Sequence, residues 1–239
     1  MKTILLLVSL IAAIIGPGTG PNFDAAKFVL PNDAKVLVAV EGYDDSKCKV
    51  YAFEKTSAEG TEKWELRLSA DGNMGRGGMN NYRKRGDGTT PIGVWQLNTP
   101  FGQLPAQEGF PSDYIQVNQD YVWTDETNRL VKDTTHSLEG EWVGTSQYAG
   151  YYDYCLDAGY NRKAYPNKGS ALFLHCQGPS SGGSSGCVKV PRDTMAEIMK
   201  LYGKYGEGKC YIAQAPAKSM TKLYNAYGVC NGLSPDGEF

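Results

Sequence analysis

The chain has 239 residues, 41% of them hydrophobic and 21% charged, a balance that suits one globular domain with a real core and excludes a disordered segment. A formal net charge of −2 gives no electrostatic reason to expect nucleic acid or an anionic membrane as partner. The N-terminus, MKTILLLVSLIAAIIGPGTG, carries Lys2 and an apolar run from Ile4 to Ile15 that falls short of the ~20 residues needed to cross a bilayer. Residues 1–20 therefore read as a secretory signal peptide, with Gly18 and Gly20 at the cleavage site, and an uncleaved anchor is the alternative. That reading places the protein outside the cytoplasm, with no stable membrane insertion after cleavage.

From Ala34 to Leu68 the runs VLVAV, CKVYAF and KWELRL alternate with Gly, Asp and Ser clusters, the pattern of antiparallel strands joined by tight turns. A glycine-dense stretch over residues 71–81 leads into GDGTTPIG, where Asp87-Gly88 marks a turn and Pro91 fixes the chain before a strand at Gly93 to Leu97. Glycine and proline carry backbone geometry, so this stretch reads as scaffold. From Thr99 to Asn167 no period emerges, but Tyr148, Tyr151, Tyr152, Tyr154 and Tyr160 are dense enough to pack a core or line a cleft. His136, in KDTTHSLEG, reads as a solvated loop residue.

The most informative stretch is GSALFLHCQGPSSGGSSGCVKVPRD, Gly169 to Asp193. A short apolar strand ends at His175, with Phe173 on the same face and Leu172, Leu174 and Cys176 on the other. A Gly-Ser loop then returns to Cys187, which it can set beside His175. A thiolate attacks carbonyl carbon well, and an adjacent imidazole can carry its proton to a leaving amine, so the pair suits acyl transfer. The backbone N–H groups of Ser185, Gly186 and Cys187 are candidates for an oxyanion hole. Next, Arg192 to Tyr205 reads as a helix, with Met195, Ile198, Met199 and Tyr202 at i, i+3, i+4 and i+7, Asp193 as N-cap and Gly206 near its end. A last strand, CYIAQA, follows, and residues 216–239 read as an extension held by Cys230.

The six cysteines would meet an oxidising compartment if the chain is exported. With Cys187 free, five remain, so at least one more is unpaired. Cys176, inside the apolar strand, fits a buried free thiol. Cys210 with Cys230 is the first candidate pair and Cys48 with Cys155 the second. A metal site built on His175, Cys176 and Cys187 is disfavoured because adjacent strand residues point to opposite faces.

Three segments carry a resemblance. Gly169 to Pro191 resembles the YkuD-type L,D-transpeptidases, whose site is a histidine at a strand end, a Gly-rich loop and a Ser/Thr-x-Gly-Cys turn. Gly75 to Leu97 resembles the "GDGxTPxGxF" signature of one branch, and Tyr152 to Asn161 its "YxYxxxxGYN". Two positions depart from it: Ser185 stands where many relatives carry a second histidine, and Lys189 where fuller motifs carry arginine, which keeps the charge without the bidentate fork. The resemblance implies a mainly β fold, a β-sandwich or barrel-like catalytic domain over residues 21–215 with one short flanking helix. It implies a secreted cysteine acyltransferase acting on peptidoglycan stem peptides through a thioester on Cys187, with His175 as its partner, Lys189, Tyr160 and Asn161 toward the substrate, and no metal or organic cofactor. The alternatives are a non-catalytic wall-binding protein on the same fold and a cysteine peptidase or amidase of other specificity.

Overall fold

The computed structural model describes residues 20–228, so the signal-peptide reading up to residue 19 and the pairing of Cys210 with Cys230 lie outside the described residues. Three antiparallel strands open the sheet in chain order, β1 (Val36–Gly42), β2 (Lys47–Ala58) and β3 (Thr61–Asn73). β2 and β3 are joined through Glu59 and Gly60, whose φ values of 53° and 79° are those of the primed turn that matches strand twist. Short strands follow: β4 (Met79–Asn80), β5 (Thr90–Pro91), β6 (Gly93–Gln96), β7 (Asn98–Gly102) and β8 (Ile115–Gln116). Then come β9 (Tyr121–Thr124), β10 (Arg129–Lys132), β11 (Gly140–Glu141), β12 (Cys155–Asp157), β13 (Phe173–Cys176) and β14 (Val188–Val190). The helix α1 (Arg192–Tyr205) and β15 (Cys210–Pro216) complete the set.

The main sheet has ten strands in the order β6-β15-β1-β2-β3-β14-β13-β12-β7-β8, beside a three-stranded sheet β10-β9-β11 and the pair β4-β5. The fold is mainly β. β1 is buried along its whole length, which is why its first five residues, Val36 to Val40, are continuously apolar rather than alternating. Val36, Val38 and Val40 join a cluster with Met195, Ile198, Met199 and Tyr202 of α1. Leu37 and Ala39 join a second with Phe23, Phe28, Met220 and Leu223. Each fully buried apolar side chain of the helix contributes roughly 1.5–3 kcal/mol to this packing. Residues after Pro216 reach that second cluster through a 3₁₀ turn, Ala217–Leu223, so the described part of the extension is held by Met220 and Leu223.

Two expectations are corrected. Asp193 is not the N-cap of α1: the helix starts directly after Pro191 with no side-chain cap, and Asp193 stands in the first turn, where its charge meets the positive end of the helix. Cys48 and Cys155 are not bridged and both are buried free thiols. Between their strands, β2 and β12, run β3, β14 and β13, whereas a disulfide needs Cα atoms within about 7 Å. Cys176, as expected, is buried and free.

β3 and β14 join the two halves of the sheet through one register pair, Lys189 with Asn73. Gly72 lies against this seam, and a Cβ there would run into the Lys189 carbonyl oxygen and come within 3.2 Å of Cys48 Sγ. Backbone cannot yield as a side-chain end can, so Gly72→Ala should destabilise the fold by about 1–3 kcal/mol. Urea unfolding of the two proteins checks this, and an unchanged midpoint would show the seam to be plastic.

Candidate active site

β13 and β14 lie parallel, with Leu174 opposite Val188, His175 opposite Lys189 and Cys176 opposite Val190. The pleat alternates, so Phe173 and His175 share a face with Cys187 and Lys189, while Leu174, Cys176, Val188 and Val190 pack into the core on the other. This one register makes Cys187 and His175 diagonal neighbours. Both line a cavity of about 640 Å³, together with Lys189, Tyr148, Tyr151, Tyr152, Glu141 and Arg76. The expected strand begins later than its apolar run, at Phe173, because Ala171 adopts a left-handed φ of 53°.

The turn that carries Cys187 is tied down at each carbonyl. Arg76 N–H donates to Ser184 O at 2.8 Å, Arg83 Nη2 to Ser185 O at 3.2 Å, the Thr90 hydroxyl to Gly186 O at 2.8 Å and the Ser184 hydroxyl to Cys187 O at 2.5 Å. Gly186 has a φ of 142°, and a Cβ there would meet Thr89 O at 2.8 Å and Arg83 Nη2 at 2.9 Å, so glycine is required. In a trans peptide the N–H points opposite to the preceding C=O. Anchoring the carbonyls of Ser184 and Gly186 therefore turns the amides of Ser185 and Cys187 away from the anchors. The Ser185 amide takes no hydrogen bond among the described residues, and that of Cys187 lies against its own sulfur. The Gly186 amide is a correction to the sequence reading: it already donates to Ser184 Oγ at 2.9 Å, so the oxyanion donors on offer are Ser185 and Cys187.

His175 Nδ1 stands 2.8 Å from Cys176 O and 3.2 Å from Tyr151 O. Only an N–H satisfies a carbonyl, so the proton sits on Nδ1 and Nε2 keeps its lone pair. Burial pushes the imidazole down to about 4. Burial, reinforced by the charge of Glu141, pushes the Cys187 thiol up to about 12. The thiol donates to Ala171 O and accepts from Phe173 N–H, each at 3.3 Å, and no hydrogen bond joins it to His175. The pair is a neutral thiol and a neutral imidazole. The reason is physical: neither charged form is solvated, and the positive charge of Arg83, which favours the thiolate, is outweighed by burial.

Lys189 lines the cavity, with Nζ donating to Ser180 O at 3.1 Å and lying 5.6 Å from the centre of the Tyr151 ring. Tyr160 and Asn161, expected at the substrate, do not line it. Tyr160 is buried edge-on to Trp95, and the Asn161 side chain bonds Tyr165 and Gly169 of its own loop. They support the wall from behind. The sequence reading passed over Arg76, Arg83 and Thr90, although all three lie inside the GRGG to TTPIG stretch it read as scaffold. It also passed over Glu141, which carries no local signal. His136 is exposed and stacked on Trp142 at 4.5 Å, outside this cavity.

No family model matches the chain, and no curated protein matches it. Among solved structures it is similar to the helical cell shape determining protein Pgp2 from Campylobacter jejuni, with TM-score 0.40 and 14% identity, over 77% of this chain and 49% of that one. It is also similar to Bd1075 from Bdellovibrio bacteriovorus, with TM-score 0.40 and 15% identity, over 80% of this chain and 53% of that one. The chain spans about half the length of each.

The lowered imidazole makes a prediction about stability. A histidine whose folded pKa lies below its unfolded value binds protons better when unfolded, so its contribution is complete above pH 6.5 and is lost as pH falls toward 4. Compared with His175→Gln, the native protein should lose up to roughly 3 kcal/mol across that window. Denaturant melts of both at pH 7 and 4.5 check this, and parallel losses would mean that the imidazole protonates without penalty in the fold.

Proposed function

We propose that the chain is a cysteine acyltransferase of L,D-transpeptidase type that acts on peptidoglycan stem peptides outside the cytoplasm. The observation that carries the reading is the placement of Cys187 and His175 as diagonal neighbours on one face of the β13–β14 pair, at the wall of an open cavity. The order and content of the three motifs support it further.

In this reading substrate binding, rather than a resting ion pair, activates the thiol. His175 Nε2 takes the Cys187 proton as the sulfur attacks the carbonyl between the third residue and the terminal D-alanine. The amides of Ser185 and Cys187 hold the developing oxyanion. The C–N bond breaks, His175 returns the proton to the leaving amine, and the acyl group stays on the sulfur as a thioester. An amine acceptor gives a cross-link and water gives a carboxypeptidase. Lys189 and Arg76, both lining the cavity, are suited to the carboxylates of such a peptide.

Cys187→Ala should abolish turnover and leave the fold intact, since it removes the nucleophile and little volume. Intact mass after incubation with tetrapeptide muropeptides should show an adduct on the native protein, less D-alanine, and none on the variant. Cleavage of plain L,L-peptides with no muropeptide adduct would favour a general cysteine peptidase. For a substrate held by Lys189, Lys189→Ala should lower kcat/KM on tetrapeptide stems by about 1–3 kcal/mol. A loss confined to stability would give Lys189 to the loop instead.

A further inference from the structure

The cavity holds two acidic side chains among its described lining residues, Asp125 and Glu141, and they are placed differently. Asp125 is engaged by Arg85 Nη2 at 2.5 Å and by the Ser170 hydroxyl. Glu141 accepts from the Tyr152 hydroxyl on Oε1, while Oε2 takes no hydrogen bond among the described residues. Tyr152 also lies edge-on to His175, with ring centres 5.1 Å apart, so one side chain bridges the carboxylate and the imidazole.

We propose that Glu141 is the base of the second half-reaction: it receives an incoming amine as its ammonium and takes a proton from it before the nitrogen attacks the Cys187 thioester. This rests on the reading of Cys187 as the acyl-bearing nucleophile. An ammonium has no lone pair, so attack requires a proton acceptor. His175 is committed elsewhere in this step, since it must carry the second proton from nitrogen to sulfur, and burial also lowers its basicity. Burial pushes Glu141 the opposite way, up to about 7, against the pull of the Tyr152 hydroxyl and with help from the Asp125 charge. The opposite directions of the two shifts make Glu141 the stronger base of the pair. Among the described residues no cation acts on Glu141: Trp123 faces it from β9, Tyr148 and Tyr152 from the segment before β12, and Cys187 from its turn, while Arg85, which lines the same cavity with Arg76, Arg83 and Lys189, is engaged by Asp125.

The step balances. One ammonium proton passes to Glu141, the N–C bond forms, the C–S bond breaks, and a second proton moves from nitrogen through His175 to sulfur, restoring the thiol. Glu141 then releases its proton to solvent.

The test uses the whole chain, a stem tetrapeptide ending in D-alanine as donor and glycinamide as acceptor, with acyl-enzyme formation and decay followed by intact mass. Glu141→Gln keeps the shape and the Tyr152 contact. It should slow aminolysis about 100-fold more than it changes acylation, and it should remove the limb near pH 7 from the aminolysis profile. Formation of the acyl-enzyme itself reports that the variant is folded. Aminolysis at the native rate with the native pH profile would overturn the role of Glu141 and leave the nucleophile standing. Absence of any acyl-enzyme on the native protein would overturn both.

Discussion

Arg83 is a buried guanidinium whose hydrogen bonds run to backbone. Its Nε donates to Thr89 O at 2.7 Å, Nη1 to Lys168 O at 2.7 Å and Nη2 to Ser185 O at 3.2 Å. The face of the Tyr160 ring lies 5.9 Å away. A buried charge is costly unless its protons are satisfied, and here three loops supply the oxygens: the turn before β5, the segment before β13 and the turn before β14. Those loops are fixed relative to one another because the charge requires all three. Thr90 repeats the device with a neutral group, accepting from Gly75 N–H and donating to Gly186 O, each at 2.8 Å. The cysteine turn therefore needs no packing of its own to hold its shape, which is how a Gly-Ser sequence can present amides in a fixed direction.

This arrangement separates shape from charge. Shape is set before any ligand arrives, by the β13–β14 register and the anchored carbonyls. Charge is not: the imidazole and the thiol are both held neutral by burial, and the ionised form of Glu141 would oppose a thiolate. A resting thiolate would be more open to oxidation than a neutral thiol. Under the proposed function, a neutral dyad on a preformed frame would place the cost of charge separation in the substrate-bound state, where the Ser185 and Cys187 amides would offset it.

Much of this was legible in the sequence because it was periodic or local. The continuous apolar run at the start of β1, the helical spacing of Met195, Ile198, Met199 and Tyr202 in α1, and the short apolar strand that carries His175 are all local patterns. The N-cap was less legible, since Pro191 can begin a helix without a capping side chain. The disulfide between Cys48 and Cys155 failed because pairing depends on sheet order, which a local pattern does not encode. Glu141 was invisible for the same reason: its β11 is only Gly140–Glu141, and what gives it meaning is a tyrosine eleven positions later. Tyr160 and Asn161 misled because a matched motif marks where a fold needs a residue, and here the need is structural. Asn161 has a φ of 54° and bonds the loop it begins.

Lys189 shows how one cation can serve both kinds of need. In the sequence it stands where a forked guanidinium would grip a carboxylate, and its single ammonium is a lesser grip. In the structure that ammonium holds Ser180 O, in the Gly-Ser loop between β13 and β14, and burial lowers its pKa. A lysine that reaches for a loop carbonyl can be drawn off it by a carboxylate, which offers its ammonium a full opposite charge where the carbonyl offers only a dipole. Under the proposed function, an acidic peptide at Lys189 would compete with Ser180 O, which lines the same cavity as Gly183 and Ser184. An arginine could keep the loop and take the ligand with separate N–H groups. If the proposed function holds, a lysine there must give up its loop contact to meet an acidic ligand, where an arginine could keep both.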